Sequence, residues 1–423
     1  MSRHRAIPVT RRLVLGAAAA VAAAGTATPA HASSGLSSRV IDAAATELDA
    51  DLIALRRDLH AHPEAPGHEE RTAGIVAALL TEAGLTVTTG VGGHGVVAVL
   101  KGRHRGRTVA YRADMDAVPV EDQIGGGPEP AHLCGHDLHT AIGVGAAQVL
   151  ARLRHRLHGT VVFFFQPAEE TLEGARAMLD DGALTATRPA EIHALHCGAL
   201  PVGMFAVNPG TGQPGQDYGT VTATGADTAD LVAAEIRDLA TIAPPQSAAD
   251  MEQLVVDMGT PNGPLAEFVS AVSAHIGEPD GEGLVAVEVS YRCWPEERYT
   301  EVRADIDRIA RSYGAAADFP DDPFPAMVCP EPEANALKRH LQRTIGGEAV
   351  AVMHAALPFS GEDFALFLDE IPGTYTYLGV RAPGADITTS FPHFGAFEPD
   401  ERAIGHGVRA MAGWLAVRAG CED

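Results

Sequence analysis

Two short segments of this chain carry side chains that could together bind a metal ion. Cys134 and His136 flank Gly135, and Glu169 and Glu170 follow about thirty residues later. Thiolate and imidazole suit zinc and its neighbours, whereas carboxylates suit harder ions such as manganese, so the mixture predicts a metal site without fixing the metal. Two adjacent carboxylates repel each other unless a cation or a shared proton compensates. One glutamate could therefore bind the ion while the other transfers protons, as hydrolysis requires.

Each segment also has a purely structural interpretation. A cysteine, a glycine and a histidine in a loop can serve packing, because cysteine is among the most buried residue types. The glutamates could be a solvated pair at the start of a helix near Leu172. Because the two segments occur together, we favour the metal site over both structural interpretations.

The flanking sequence predicts the elements that position these residues. Residues 160–165 form an apolar run that ends before Pro167, which is typical of a buried strand in an α/β sheet. Active sites of such sheets lie at the carboxyl ends of strands, where the glutamate pair stands. Residues 141–150 are small and apolar and predict a buried helix, with the cysteine and histidine at its N-terminus. Helical periodicity in 40–59 and 72–83, and strands at 96–100 and 108–112, continue the α/β alternation.

Further motifs follow one another in order along the chain. They comprise residues 56–64, 113–119, 132–139, 159–170, 174–175, 195–196 and 360–364, and His393 with the residues after it. With this set the chain resembles the metal-dependent amidohydrolases of the aminoacylase and carboxypeptidase superfamily, in the branch of hippurate hydrolases and indole-acetyl-amino-acid hydrolases. The resemblance covers most of residues 50–215 and 325–410. It implies a mixed-sheet α/β catalytic domain sandwiched by helices, with an inserted smaller α+β lid domain.

The resemblance also implies roles for individual side chains. The general base would be Glu169, and Asp116 would orient a ligand or the centre as a whole. One or two divalent ions are expected, zinc or manganese first, with cobalt or nickel as further options. The implied metal ligands are Cys134, His136, Glu170, His196 and His393. We expect His193 to be a core residue, and His60, His62 and His139 to be supporting or structural.

The lid departs from the family pattern. Members of the family carry a lid histidine that reaches the reacting carbonyl, but residues 220–235 contain none. The one histidine of the lid region, His275, lies in a segment that we predict to be a helix end. Losing one such donor costs about 2.7–4 kcal/mol of transition-state stabilisation. The prediction is hydrolysis of N-acyl amino acids or similar small conjugates; the alternatives are a catalytically weakened protein that binds them, and a carboxypeptidase acting on short peptides.

Charge and cysteine content narrow the class of protein. The net charge is −24, and residues 1–32 hold four arginines and no acid, so the rest of the chain carries −28. This balance argues against nucleic-acid or anionic-membrane partners. The five cysteines are odd in number and widely spread, which is no disulfide framework. We expect a small-molecule amide substrate as the partner, and a possible homodimer through the lid.

The N-terminus predicts export. Arg11 and Arg12 precede a short alanine-rich apolar stretch, which ends in an Ala-x-Ala sequence at residues 30–32. These are the features of a Tat signal peptide, and they predict a secreted or cell-wall-associated enzyme. The predicted organisation is a signal at 1–32, a catalytic domain at 33–215 and 295–423, and the inserted lid at 216–294.

Overall fold

The computed structural model describes residues 36–421, and the predicted export signal, residues 1–32, lies outside them. Within the described range, no helix is long and apolar enough to cross a membrane.

The strands form a large sheet, a smaller four-stranded sheet and a two-stranded ribbon. They are β1 (Thr86–Val91), β2 (Gly95–Lys101), β3 (His104–Asp114), β4 (His158–Gln166), β5 (Ile192–Pro201), β6 (Phe205–Val207), β7 (Gly212–Gln213), β8 (Asp217–Thr224), β9 (Phe268–Ile276), β10 (Leu284–Trp294), β11 (Ala316–Asp318), β12 (Met327–Val328), β13 (Val350–Val352) and β14 (Gly373–Arg381).

The helices flank both sheets. They are α1 (Ser38–Thr46), α2 (Asp49–His60), α3 (Glu70–Glu82), α4 (His136–Arg152), α5 (Gly174–Asp180), α6 (Ala183–Thr187), α7 (Ala226–Arg237), α8 (Ala248–Met258), α9 (Tyr299–Ser312), α10 (Glu331–Ile345), α11 (Phe364–Glu370) and α12 (Arg402–Ala419).

The large sheet has the order β1-β2-β4-β3-β5-β14-β6-β13 and mixes parallel with antiparallel neighbours. Its strand β4 shows why the apolar run at 160–165 is continuous. Phe163 and Phe165 point into a core shared with α4 and α12, whereas Phe164 points to the opposite core with α5 and α11. A strand with helices on both faces needs apolar side chains at every position. The predicted mixed α/β sheet between helices is confirmed.

The smaller sheet has the order β11-β8-β10-β9 and is covered by α7 and α9. Three of its strands lie in the predicted lid, and its edge strand β11, which pairs with β8, lies beyond the predicted lid boundary at residue 294. The segment 268–277 was expected to be a helix end, and this prediction is wrong. Residues 268–276 form β9, because their backbone pairs antiparallel with β10, with Phe268 opposite Trp294 and Ile276 opposite Val287.

The topology brings three chain segments to one place. Strands β3 and β4 are parallel neighbours that end side by side, with Asp114 opposite Gln166. The loops that follow them carry Asp116 and the glutamate pair. Helix α4 starts at His136 and packs against β3, so its N-terminus lies at the same edge of the sheet.

Candidate metal centre and active site

The N-terminus of α4 presents Cys134 and His136 as the sequence predicts. Gly135 between them adopts a left-handed conformation with φ +90°, and a Cβ there would lie 2.6 Å from the sulfur of Cys197. Only glycine fits both the conformation and the space. The thiol of Cys134 lies 3.3 Å from Nε2 of His196.

Asp116 connects the loop after β3 to two of the predicted ligands. One carboxylate oxygen lies 3.0 Å from Nδ1 of His136, and the other accepts the backbone N–H of Glu170 at 2.9 Å. The backbone oxygen of Asp116 also lies 2.9 Å from the same imidazole nitrogen. This single fully buried residue therefore fixes the orientation of His136 and the position of the Glu170 backbone.

All three histidines of the predicted set are held through Nδ1. His136 is held by Asp116, while Nδ1 of His196 donates to the carbonyl of Cys197 at 2.7 Å, and Nδ1 of His393 donates to the carbonyl of Asp122 at 3.2 Å. A carbonyl only accepts, so the proton of the last two rings resides on Nδ1 and leaves Nε2 with a free lone pair. In their neutral form, the three rings therefore present Nε2 as an acceptor or a metal ligand.

These acceptor atoms converge with the thiol and the carboxylates. Nε2 of His393 lies 3.3 Å from one oxygen of Glu170, and Nε2 of His136 lies 3.7 Å from the other. The ligand atoms of Cys134, Glu170 and His393 all lie within 4.8 Å of one another, as do those of Cys134, His136 and His196. The structure thus brings together all five predicted ligands, although the chain separates the first from the last by more than 250 residues.

Glu169 lies beside this cluster. One of its oxygens is 3.8 Å from Nε2 of His136, and its side chain also approaches Glu362 and Asp363. Burial and the neighbouring carboxylates of Glu362 and Glu170 raise the pKa of Glu169 well above its ordinary value. A cation in the cluster would oppose this rise, so Glu169 can act as a base only when positive charge is close.

The electrostatics of the cluster favour a cation. Burial would raise the pKa of Glu170, but the nearby His393 and His136 outweigh it and hold that pKa at about 2. Burial would likewise lower the pKa of His136, yet Asp114 and Asp116 raise it to about 10. Carboxylates therefore surround the space where the three imidazoles meet.

The buried atoms test whether a metal ion fits this site. Nε2 of His136 and one oxygen of Glu170 are buried without a hydrogen-bond partner. Such orphaned atoms cost about 1–3 kcal/mol each unless something satisfies them. Sulfur, nitrogen and oxygen ligands converging on one space match a divalent ion such as zinc, so the residues fit the group.

Backbone strain concentrates at the same place. His393 has φ +68°, and Ala168 and Leu172, which flank the glutamate pair, have φ +51° and +58°. A left-handed non-glycine residue costs on the order of 1–3 kcal/mol and persists only where surrounding contacts fix it. For His393, the backbone N–H donates to the carbonyl of Leu133 at 2.8 Å, which ties the two loops together.

The sequence analysis gave no role to the buried network beneath the site. Arg112 on β3 pairs with Asp114, Glu362 and Asp363 and donates to Gln166. All of these residues except Arg112 lie within the quoted motifs, and the available signal was an arginine in the predicted strand 108–112, shortly before two aspartates. The network holds the ends of β3 and β4 to the 360–364 loop.

The remaining histidines take supporting places. His139 bridges Asp114 at 2.6 Å and the backbone N–H of Cys197 at 2.8 Å, and His60 contacts Asp137 at 2.8 Å. His193 is buried 2.9 Å from Thr374, in keeping with the core position expected for it. His62 is exposed and lies 2.8 Å from the carbonyl of Asp58.

A cavity of about 620 Å³ opens beside the cluster and extends to the lid. This volume is in the usual range for small-molecule sites. Among the described residues of the lid, the hydrogen-bonding side chains that line it are Gln216, Tyr218 and Arg292. His275 is exposed on β9 and is not part of the lining, so no lid histidine of this chain reaches the cavity.

Comparison with known proteins identifies the family. Residues 110–417 match the profile of peptidase family M20/M25/M40. The chain belongs to this family. A probable hydrolase from Synechocystis is 31% identical over 85% of the chain and 94% of its own length. An N-acetylcysteine deacetylase from Bacillus subtilis is 31% identical over 84% of the chain and 93% of its own length.

A solved structure of the M20 family has the same fold. It is a dinuclear metal binding peptidase from Bacillus subtilis with a TM-score of 0.69 and 27% identity, covering 88% of this chain and 99% of its own. The family, its relatives and the clustered ligand groups together identify the protein as a metal-dependent amide hydrolase.

Proposed function

We propose that the protein hydrolyses the amide bond of N-acyl amino acids, or of similar small conjugates with a free carboxylate. The observation that carries the proposal is the convergence of three Nε2 atoms, one thiol and one carboxylate beside a cavity that is also lined by a half-buried arginine. The hydrolase class follows from the family, and this combination supports the proposed substrate class. The similarity to an N-acetylcysteine deacetylase supports it.

Arg292 supplies the recognition of a carboxylate. It lines the cavity, and its Nη1 atom is buried without a hydrogen-bond partner. Burial lowers the pKa of Arg292 to about 10, so the guanidinium remains charged at neutral pH. A charged, incompletely paired guanidinium in a cavity is suited to bind a carboxylate. A Cβ at Gly361 would lie 2.5 Å from this Nη1 atom, so the glycine makes room for it.

The remaining roles follow from position. Cys134, His136, Glu170, His196 and His393 would hold one or two divalent ions, zinc or manganese by ligand type. When bound, such an ion lowers the pKa of a water molecule and polarises the amide carbonyl.

Glu169 takes the proton of the attacking water and returns it to the leaving amine. Asp116 keeps the tautomer of His136 that exposes Nε2. Arg292 fixes the substrate so that its amide faces the cluster.

The test is turnover by the purified protein after metal removal and re-addition of zinc, manganese or cobalt. N-acyl amino acids and dipeptides would be compared, with the free amine measured by mass spectrometry. We expect metal-dependent release from N-acyl amino acids; cleavage of dipeptides alone would favour the carboxypeptidase alternative, and no release at all would refute the proposal.

A variant isolates the proton transfer. Glu169→Gln should lower kcat by about 10²- to 10⁴-fold while zinc content stays near that of the wild type. The matched control is Glu173→Gln, the same change at an exposed position four residues later. A Glu169→Gln enzyme with wild-type kcat would remove the base assignment.

We also propose that residues 1–32 direct Tat export. The twin arginines and the Ala-x-Ala sequence support this proposal. Changing Arg11 and Arg12 to lysine should retain the protein inside the cell, whereas lysine at Arg3 and Arg5 should leave export intact. Export that persists without the twin arginines would refute the Tat route.

A further inference from the structure

Among the described residues, four side chains that line the cavity carry a buried polar atom with no hydrogen-bond partner. They are Glu170, Gln213, Arg292 and Ser360. The metal cluster accounts for Glu170, and a substrate carboxylate accounts for Arg292. Ser360 precedes Gly361, which lies against the Arg292 guanidinium, so it belongs with the carboxylate end. The amide oxygen of Gln213 is left without an explanation.

The backbone places Gln213 beside the metal-binding end of the cavity. Its Nε2 donates to the hydroxyl of Tyr377 at 3.4 Å, and Tyr377 lies directly opposite His196 in the β5–β14 pairing. The rings of Tyr377 and His196 are 6.3 Å apart. Only 3% of Gln213 is exposed, and β7 holds its backbone against β12. This side chain therefore lies in the wall of the cavity with its position fixed.

Apolar side chains line the same cavity as Gln213 and Tyr377. They include Leu200, Met353 and Leu357, and the N–H of Leu357 donates to the carbonyl of Gly212, next to Gln213, at 3.0 Å. A buried amide oxygen without a hydrogen-bond partner is costly unless a ligand uses it. The amide oxygen accepts a hydrogen bond, and the tyrosine hydroxyl retains a proton to donate. Together they complement a hydroxyl group, which both donates and accepts.

We propose that Gln213 and Tyr377 form a polar subsite that selects acyl groups bearing a hydrogen-bonding substituent, such as a hydroxyl, over apolar acyl groups of equal size. The inference rests on the proposed function. The orientation of the bound substrate follows from two of its groups, because Arg292 holds the carboxylate and the amide faces the metal-binding cluster. The acyl group then extends toward the His196 side, where Gln213 lies.

Two pairs of substrates of matched size test the subsite with the zinc-loaded enzyme. The acyl pair is N-glycolyl- against N-propionyl-alanine, and the amino-acid pair is N-acetyl-serine against N-acetyl-2-aminobutyrate. We expect the wild type to favour N-glycolyl by about tenfold in kcat/KM, because the unmatched acceptor penalises the apolar analogue. Gln213→Met, which preserves size, should bring that ratio close to one and leave the amino-acid ratio unchanged.

Matched variants keep the test interpretable. Gln253→Met, at an exposed position on α8, should keep the wild-type acyl ratio. If Gln213→Met fails to fold, Tyr377→Phe takes its place and should lower the same ratio. An acyl ratio that is equal in the wild type and in these variants overturns the subsite, as does a change confined to the amino-acid pair. Failure to cleave any of the four compounds would instead refute the proposed function.

Discussion

Removing the carboxylate of Asp116 should weaken metal binding more than it weakens the fold. In Asp116→Ala, the backbone N–H of Glu170 loses the carboxylate oxygen that accepts its hydrogen bond. Nδ1 of His136 keeps its contact with the backbone oxygen of residue 116 at 2.9 Å. The imidazole therefore retains its tautomer but loses the carboxylate that raises its basicity. Residues that orient metal ligands in this way typically contribute 10- to 100-fold to affinity. We expect zinc affinity to fall by that factor, or about 1.4–2.7 kcal/mol.

Asp116→Asn should have an intermediate effect. An asparagine side chain has one accepting oxygen, whereas the aspartate uses one oxygen for His136 and the other for Glu170. The variant can therefore satisfy one of the two groups. Zinc affinity should therefore be highest in the wild type, lower in Asp116→Asn and lowest in Asp116→Ala.

The assay is competition for zinc with a chromophoric chelator at fixed pH, together with thermal unfolding of the metal-free proteins. Asp230→Ala, at an exposed position on α7, controls for loss of one acidic group. If Asp116→Ala binds zinc within twofold of the wild type and only its melting temperature falls, Asp116 is structural and the reasoning is refuted.

Two further changes probe packing and charge. Gly135→Ala puts a Cβ on a residue with a left-handed backbone and places it against the sulfur of Cys197, so chemical denaturation should show that the free energy of unfolding falls by about 2–5 kcal/mol. The control is Gly127→Ala, where nothing lies within 4 Å of the added Cβ and the free energy of unfolding should hardly change. Equal losses in the two variants would contradict the steric argument. Burial would raise the pKa of Glu191, but hydrogen bonds from His193 and Arg418 hold it at about 2. The contribution of ionised Glu191 to the stability of the folded protein is therefore complete above pH 4.5 and is lost as the pH falls toward 2. The gap in unfolding free energy between wild type and Glu191→Gln should therefore narrow over that range, and a constant gap would exclude the ion pair as the cause.

The sequence predicted those elements whose pattern is local. The apolar run of β4 and the small residues of α4 gave the correct element types, because both elements are buried on nearly every side and therefore appear in the sequence as continuous apolar or small-residue runs. The segment 268–276 was wrongly assigned, because a one-sided lid strand with few large apolar residues has no strong period. The short strand β11, which lies beyond the predicted lid, is recognisable only from its pairing with β8.

The candidate site, like the fold, could be predicted only in part from the sequence. Motifs along the chain identified all the side chains that now converge, but the resemblance to a family, not the spacing, selected His196 and His393 from 19 histidines. The contacts that fix these two rings are backbone carbonyls of Cys197 and Asp122. Every residue has a carbonyl, so no side-chain pattern could reveal them.

The amino-acid sequence by itself determined which kinds of ligand are present and which of the strongly patterned segments become strands or helices. The tertiary structure alone decided that three imidazoles present the same nitrogen to one space, and that Arg292 and Gln213 carry unsatisfied atoms at its edge. The physical reason is that ligand type and backbone preference are properties of single residues. Convergence and unmet hydrogen bonds depend instead on packing between segments that lie hundreds of residues apart.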